Sequence, residues 1–498
     1  MLTYNARPPD PQVVGEDRWR ELWLERLDGS PFPAETWLEH QRRDAYWQQG
    51  SVCEDYSAID CAVYAVGGWN DGYTSAILRL LDGLSCPRKA LIGPWEHMWP
   101  EEGIPGPRIG FLQEALRFWD HWLKGDDTGV MDGPMLRFWL QDSVRPRGAY
   151  AERAGRWAAE DVWPSGRVDP QRMFLTPGGL APDAGDGATL AHSSPLTLGA
   201  DAGSWLPYGN PADLPADQRA EDAWSLCFDG PPLEAPLDVL GIPRLRLRIA
   251  ADRPAAFVVA RLCDVAPDGT SALVTRGVLN LCHRHGHDRP QALVPGEVVD
   301  VELPLKAIGS ALPTGHRLRL ALSTSYWPWV WPSPEPVEVT LTCDAGSALE
   351  LPVRPPRAAD ADLEPFDEPE IAAPLQVEWL AERNPRWEIA RDAVSGWHTV
   401  VMSRALSGAK RYPNGIEYRD RDPVRFAIRE GDPLSATVEC ERTIRIGRGA
   451  TWQTRIEMRA RMSADREDFH VSATLDVYEG DRLVRSRAHA SRFPRDHC

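Results

Sequence analysis

CAVYAVGGWNDGYTSAILRLLDGLSCPRKALIGPWEH, residues 61–97, switches between two patterns and back. The apolar runs Cys61 to Gly68 and Arg88 to Trp95 have the length of strands. The stretch between them, from about Tyr73 to Leu84, reads as a helix. Strand, helix, strand is the unit of a parallel sheet, because parallel neighbours need a crossover connection. Both runs end in glycine-containing loops, Gly67-Gly-Trp-Asn-Asp71-Gly and Gly93-Pro-Trp-Glu-His97. Loops beyond the carboxyl ends of parallel strands converge on one crevice, where catalytic groups of open α/β sheets sit. An acid at one tip and a histidine at the next is how a hydrolase orients an imidazole: the carboxylate accepts the Nδ1 proton, and Nε2 is left as general base. The chain order, acid then histidine, is that of α/β-hydrolases. Asp71 alone would read as a turn residue and His97 alone as an ordinary histidine; pairing and order carry the catalytic reading.

Before this unit, residues 13–50 read as helical, with Trp19, Leu22, Trp23 and Leu27 at helical spacing and a second start at Pro33. After it, Phe111, Leu112, Ala115, Leu116, Phe118, Trp119, Trp122 and Leu123 form a broad apolar stripe that ends at Lys124-Gly125. From about residue 134 the period falls to two. Leu245, Leu247 and Ile249 alternate with arginines, as do Leu318, Leu320 and Leu322, so 134–355 reads as an antiparallel sandwich. PPRAADADLEPFDEPEIAAP, from Pro355, reads as an acidic, proline-rich linker over 356–375. A further β-rich unit, 376–498, follows, where Phe469, Val471, Ala473, Leu475 and Val477 alternate with polar neighbours.

A chain of 498 residues has room for about three domains. Its 21 Trp and 45 Pro suit loop-rich β structure. A net charge of −18 argues against a nucleic-acid partner, since phosphate binding needs clustered Lys and Arg. The sequence holds no run of ~20 apolar residues and no basic segment leading into an apolar run, so no membrane partner and a cytoplasmic location are expected. The nine cysteines are scattered without a CxxC pair and read as reduced thiols. No cofactor or metal is expected.

GSVCEDYSAI (50–59), GGWNDGY (67–73), LIGPWEH (91–97) and IGFLQEALRFWDHWLKG (109–125) resemble the cocaine-esterase-like (CocE/NonD) hydrolases, relatives of the X-Pro dipeptidyl-peptidases. RGVLNLCHR (276–284), PTGHRLRLALS (313–323) and WPWVWPSPEP (327–336) resemble the C-terminal jelly-roll, galactose-binding-like domain of that family. The resemblance implies a partial α/β-hydrolase domain with cap helices over 1–133 and a jelly-roll sandwich over 134–355. It also implies Asp71 and His97 as triad acid and base, and ester or Xaa-Pro peptide bonds as substrates.

The family's nucleophile should precede Asp71 in a G-x-S-x-x-G elbow, a strand-to-helix turn that exposes the hydroxyl. The serines there are Ser30, Ser51 and Ser57, and none lies in such a turn. Ser30 comes nearest, but Pro31 follows it and no strand precedes it, so a polar turn is the better reading. Ser271 falls in the sandwich and breaks the chain order. The expectation is therefore a hydrolase without its front half, inactive as an isolated chain, whose sheet edge could accept a separately encoded N-terminal half. The competing expectation is a non-catalytic β-sandwich binding module with a vestigial hydrolase stub; a homo-oligomer is left open.

Other signals rank lower. Cys282-His283-Arg-His285-Gly-His287 has no recognised zinc spacing and reads as a polar loop. The tryptophans of 327–331 read as packing at a sandwich end. His121 suits a helix C-terminus, and Glu96, beside His97, is an alternative partner for the imidazole that ranks below Asp71 because adjacent side chains on a loop rarely point the same way.

Overall fold

The computed structural model describes residues 2–403 and 408–498. Short helices open the chain: α1 (Leu2–Asn5), α2 (Pro11–Val14), α3 (Trp19–Gly29), α4 (Pro33–Glu39) and α5 (Ala45–Gln48). Trp19, Trp23 and Leu27 are spaced by four and bury one face of α3, as their periodicity requires. That face does not cap the α/β unit. With Leu2 and Ala6 it packs on Ile444, Ile446, Trp452, Ile456, Leu475 and Val477, from the far end of the chain. Periodicity reports that a stripe is buried and not what covers it; for α3 the cover is the C-terminal sheet.

The strand–helix–strand unit forms as read. β1 (Val63–Gly68) pairs in parallel with β2 (Arg88–Gly93), and α6 (Thr74–Gly83) makes the crossover. Alternate residues serve opposite faces. Ala65, Ala90 and Ile92 meet Ile77, Leu78 and Leu81 of α6, while Tyr64, Val66 and Leu91 share a cluster with Ile109 and Phe111 at the start of α7 (Phe111–Trp119). α7 continues into a wider π turn, Asp120–Lys124, and stops at Gly125 in the left-handed conformation, φ 81°.

β3 (Leu136–Asp142) extends the parallel order beyond β2. It also makes a short parallel contact with Ile308–Leu312, so the same sheet runs on into the sandwich. The second sheet orders Ser271–Asn280, Phe257–Val265, Arg317–Ser323 and Leu226–Asp229. Leu245, Leu247 and Ile249 face Val258, Ala260 and Leu262 across a common core, joined by Leu318, Leu320 and Leu322. The alternating arginines point outward; Arg244 and Arg248 meet Glu302 and Asp300.

The acidic segment after the sandwich lies against the α/β unit. Gly110 N–H donates to the Asp367 carbonyl at 2.7 Å, and Arg137 stacks on the Phe366 ring at 3.8 Å. It is a strap rather than a free linker, because one aromatic residue among its prolines finds a pocket beside Trp157. Beyond it, the long strands Asp432–Arg448, Trp452–Ala464, Asp468–Glu479 and Arg482–Pro494 run as an antiparallel meander. Trp327 and Trp331 join the sandwich to this sheet through Phe426 and Phe469.

Candidate active site

The loops after β1 and β2 are held so close that Gly68 tolerates no side chain: a Cβ there would lie 1.9 Å from the Trp95 carbonyl oxygen. Trp69 N–H donates to the Gly93 carbonyl at 2.9 Å, and the Asn70 side-chain amide donates to the Pro94 carbonyl at 2.8 Å. Asp71 follows in a turn, its N–H donating to the Gly68 carbonyl at 3.0 Å. Its Oδ1 accepts from Tyr73 N–H at 2.9 Å, which leaves Oδ2 aimed at the neighbouring loop.

His97 Nδ1 lies 2.8 Å from Asp71 Oδ2. An ionised carboxylate only accepts, so this contact places the ring proton on Nδ1 and makes Nε2 the basic nitrogen. Asp71 is buried, whereas the His97 side chain is 42% exposed. The acid is thus shielded and the base is open to a substrate. His97 N–H is anchored on the Pro207 carbonyl at 3.0 Å. Its ring meets Tyr208 edge-on at 5.0 Å and Tyr73 at 5.7 Å.

Pro207 and Tyr208 come from a long irregular loop of the sandwich, which sequence reading left without a role; no periodicity or motif marks it. Glu96 belongs to the same junction. Its carboxyl turns away from the imidazole, is buried, and accepts from Gly209 N–H. Burial pushes its pKa up to about 8, helped by the Asp213 carboxylate and opposed by the Gly209 hydrogen bond.

The structure brings Asp71 and His97 together and sends the serines before them elsewhere. Ser30 Oγ donates to the Arg26 carbonyl at 2.7 Å, Ser51 pairs with Cys53 Sγ at 3.0 Å, and Ser57 Oγ donates to Asp55 at 2.5 Å. Ser271 Oγ is buried on Asp222 at 2.7 Å. His283 and His287 face each other, Nδ1 to Nδ1, at 3.1 Å, while the Cys282 thiol donates to the Pro254 carbonyl instead of joining them. Trp327 is buried, as packing predicts. His121 Nδ1 lies 3.1 Å from the Asp126 carbonyl oxygen, at the end of its helix.

Residues 1–99, which include both loops, match the model of the X-Pro dipeptidyl-peptidase (S15 family). Residues 128–349 match that of the X-Pro dipeptidyl-peptidase C-terminal non-catalytic domain. The chain is similar, over these two segments, to the X-Pro dipeptidyl-peptidase and CocE/NonD hydrolases. Among curated relatives, a putative serine esterase of Mycobacterium bovis is 29% identical over 308 residues, 56% of this chain and 46% of the relative. The cocaine esterase of a Rhodococcus species is 24% identical over 321 residues, 59% and 54% of the two chains. The chain therefore spans about half the length of the curated relatives it matches. Two solved structures share its fold. A CocE/NonD family hydrolase from Staphylococcus aureus has TM-score 0.52 and 13% identity, over 68% of this chain and 62% of its own. An aminopeptidase from a marine sediment archaeon, Thaumarchaeota archaeon, has TM-score 0.53 and 19% identity, over 67% and 62%.

Proposed function

We propose that Asp71 and His97 are the acid and base of a serine-hydrolase triad acting on ester or Xaa-Pro peptide bonds, with the nucleophilic serine carried on polypeptide that docks beside β1. The observation that carries this reading is the 2.8 Å contact between Nδ1 and Oδ2, made from the ends of adjacent parallel strands in the order acid, histidine. In such a triad Nε2 removes the hydroxyl proton as oxygen attacks the carbonyl, and Asp71 stabilises the imidazolium that results. The same proton then passes to the leaving group, and the cycle repeats with water.

Two surfaces support the docking half of the proposal. Among the described residues β1 pairs only with β2, so its other edge presents unpaired N–H and C=O groups. On α7 and the turn after it, Leu112, Leu116, Trp119 and Leu123, at successive turns, are all exposed. A contiguous apolar stripe of this kind marks a contact surface.

A fluorophosphonate probe tests the reading. The 498-residue chain alone is expected to stay unlabelled and without esterase activity; adding a family front half that carries a G-x-S-x-x-G elbow is expected to restore both. Stoichiometric labelling of the chain alone would overturn the missing nucleophile. Tight docking without any turnover would overturn the catalytic reading in favour of a binding module.

A further inference from the structure

Behind the acid loop, where α6 meets the sandwich, lies a cavity of about 330 Å³, within the size range of small-molecule sites. Three cations line it: Arg79 from α6, Arg276 from the strand Ser271–Asn280, and Lys306. No Asp or Glu lines it among the described residues. That is unusual in a chain of 73 acids and 55 bases. Elsewhere buried or half-buried arginines such as Arg319, Arg354 and Arg442 are matched to carboxylates.

The cations differ in how they are held. Arg276 is fixed: it donates to the Ala202 and Ser204 carbonyls and lies over the Trp205 ring at 4.6 Å. Arg79 and Lys306 have neither an ion pair nor a side-chain hydrogen bond among the described residues. Burial, with the Arg276 charge beside it, pushes the Lys306 amine down to about 7, while Asp71 pulls it back up. The Asp71 carboxylate, outside the lining, offsets only part of the cost of holding this half-buried amine, and a ligand that brings a negative charge lowers that cost further. The other walls are apolar, with Trp69, Trp205, Leu273 and Leu305 facing the same space.

We propose that this cavity is a binding site for a small organic carboxylate, whose charged end is held by Lys306 and Arg79 and whose hydrocarbon end lies between Trp69 and Trp205. The cavity adjoins the Asp71–His97 pair, sharing Asn70, Gly72 and Pro207 with its loops, but is lined by neither residue of the pair and stands whether or not that pair is catalytic. Its partners are placed by tertiary contact: the backbone N–H of Ala307 donates to Ser75 Oγ at 2.9 Å, which ties the Lys306 segment to α6.

Calorimetric titration of the 498-residue chain with phenylacetate, phenylacetamide and inorganic phosphate tests this. Saturable one-to-one binding of phenylacetate is expected, with the neutral amide and phosphate each at least about tenfold weaker, the scale of one charge-assisted hydrogen bond. Lys306→Met should weaken phenylacetate by a similar factor with an unchanged near-ultraviolet spectrum. Arg79→Gln, at an exposed position of α6, should weaken it less. No saturable binding, equal affinity for the amide or phosphate, or unchanged affinity in both variants would overturn the proposal.

Discussion

Asp71 and His97 illustrate how little of a site lies in its named residues. The pair depends on Gly68, whose missing side chain lets the Trp95 carbonyl approach, and on Pro207, which anchors His97 from another part of the chain. Glu96 adds a proton-dependent element to that anchor. Its raised pKa means that the folded chain keeps a proton which the unfolded chain releases near pH 4.5. Its contribution to stability is therefore fully present below that pH, falls as pH rises from about 4.5 to about 8, and is level above. Glu96→Gln keeps the shape and a permanently neutral carboxamide. Urea denaturation between pH 4 and 9 is expected to show the wild-type chain losing stability relative to the variant across that window; parallel curves would contradict this assignment.

Among the elements, α7 departs most from what its sequence suggests. A broad apolar stripe predicts a deeply packed helix, yet within Phe111–Trp119 only Phe118 is fully buried among the described residues. Leu116 and Leu123 are 57% and 75% exposed. The stripe is broader than the single sheet face available to it. Leu116→Glu combined with Trp119→Ser should change the stability of the chain alone by less than about 0.5 kcal/mol per site, as for ordinary surface positions. The same changes should weaken capture of a nucleophile-bearing front half at least about tenfold. A binding assay beside thermal unfolding separates the two effects, and intact docking by the double variant would remove α7 from the contact surface.

At the scale of the molecule, the chain closes on itself. α3 covers the C-terminal meander, the strap of 356–375 lies on the α/β unit, and the sandwich meets the last sheet through its tryptophans. Trp23 is fully buried at the first of these contacts, its indole N–H donating to the Ala6 carbonyl at 2.7 Å. Trp23→Ala should cost about 3–5 kcal/mol. The loss should appear in hydrogen exchange as lowered protection across 432–494 before β1 and β2 are affected. Uniform loss across the chain would show that the units unfold as one.

The strand–helix–strand unit, the two loop tips, the alternating sandwich strands and the identity of the acid and the base are all local in sequence. Period, glycine placement and chain order are properties of adjacent residues and survive in a string of letters. What covers α3, where the acidic segment lies, why Glu96 turns from His97 and how Arg79, Arg276 and Lys306 come to share a cavity depend on contacts between distant segments. Amphipathic patterns state only that a face seeks burial, so many partners satisfy them equally; the partner is chosen when the whole chain packs.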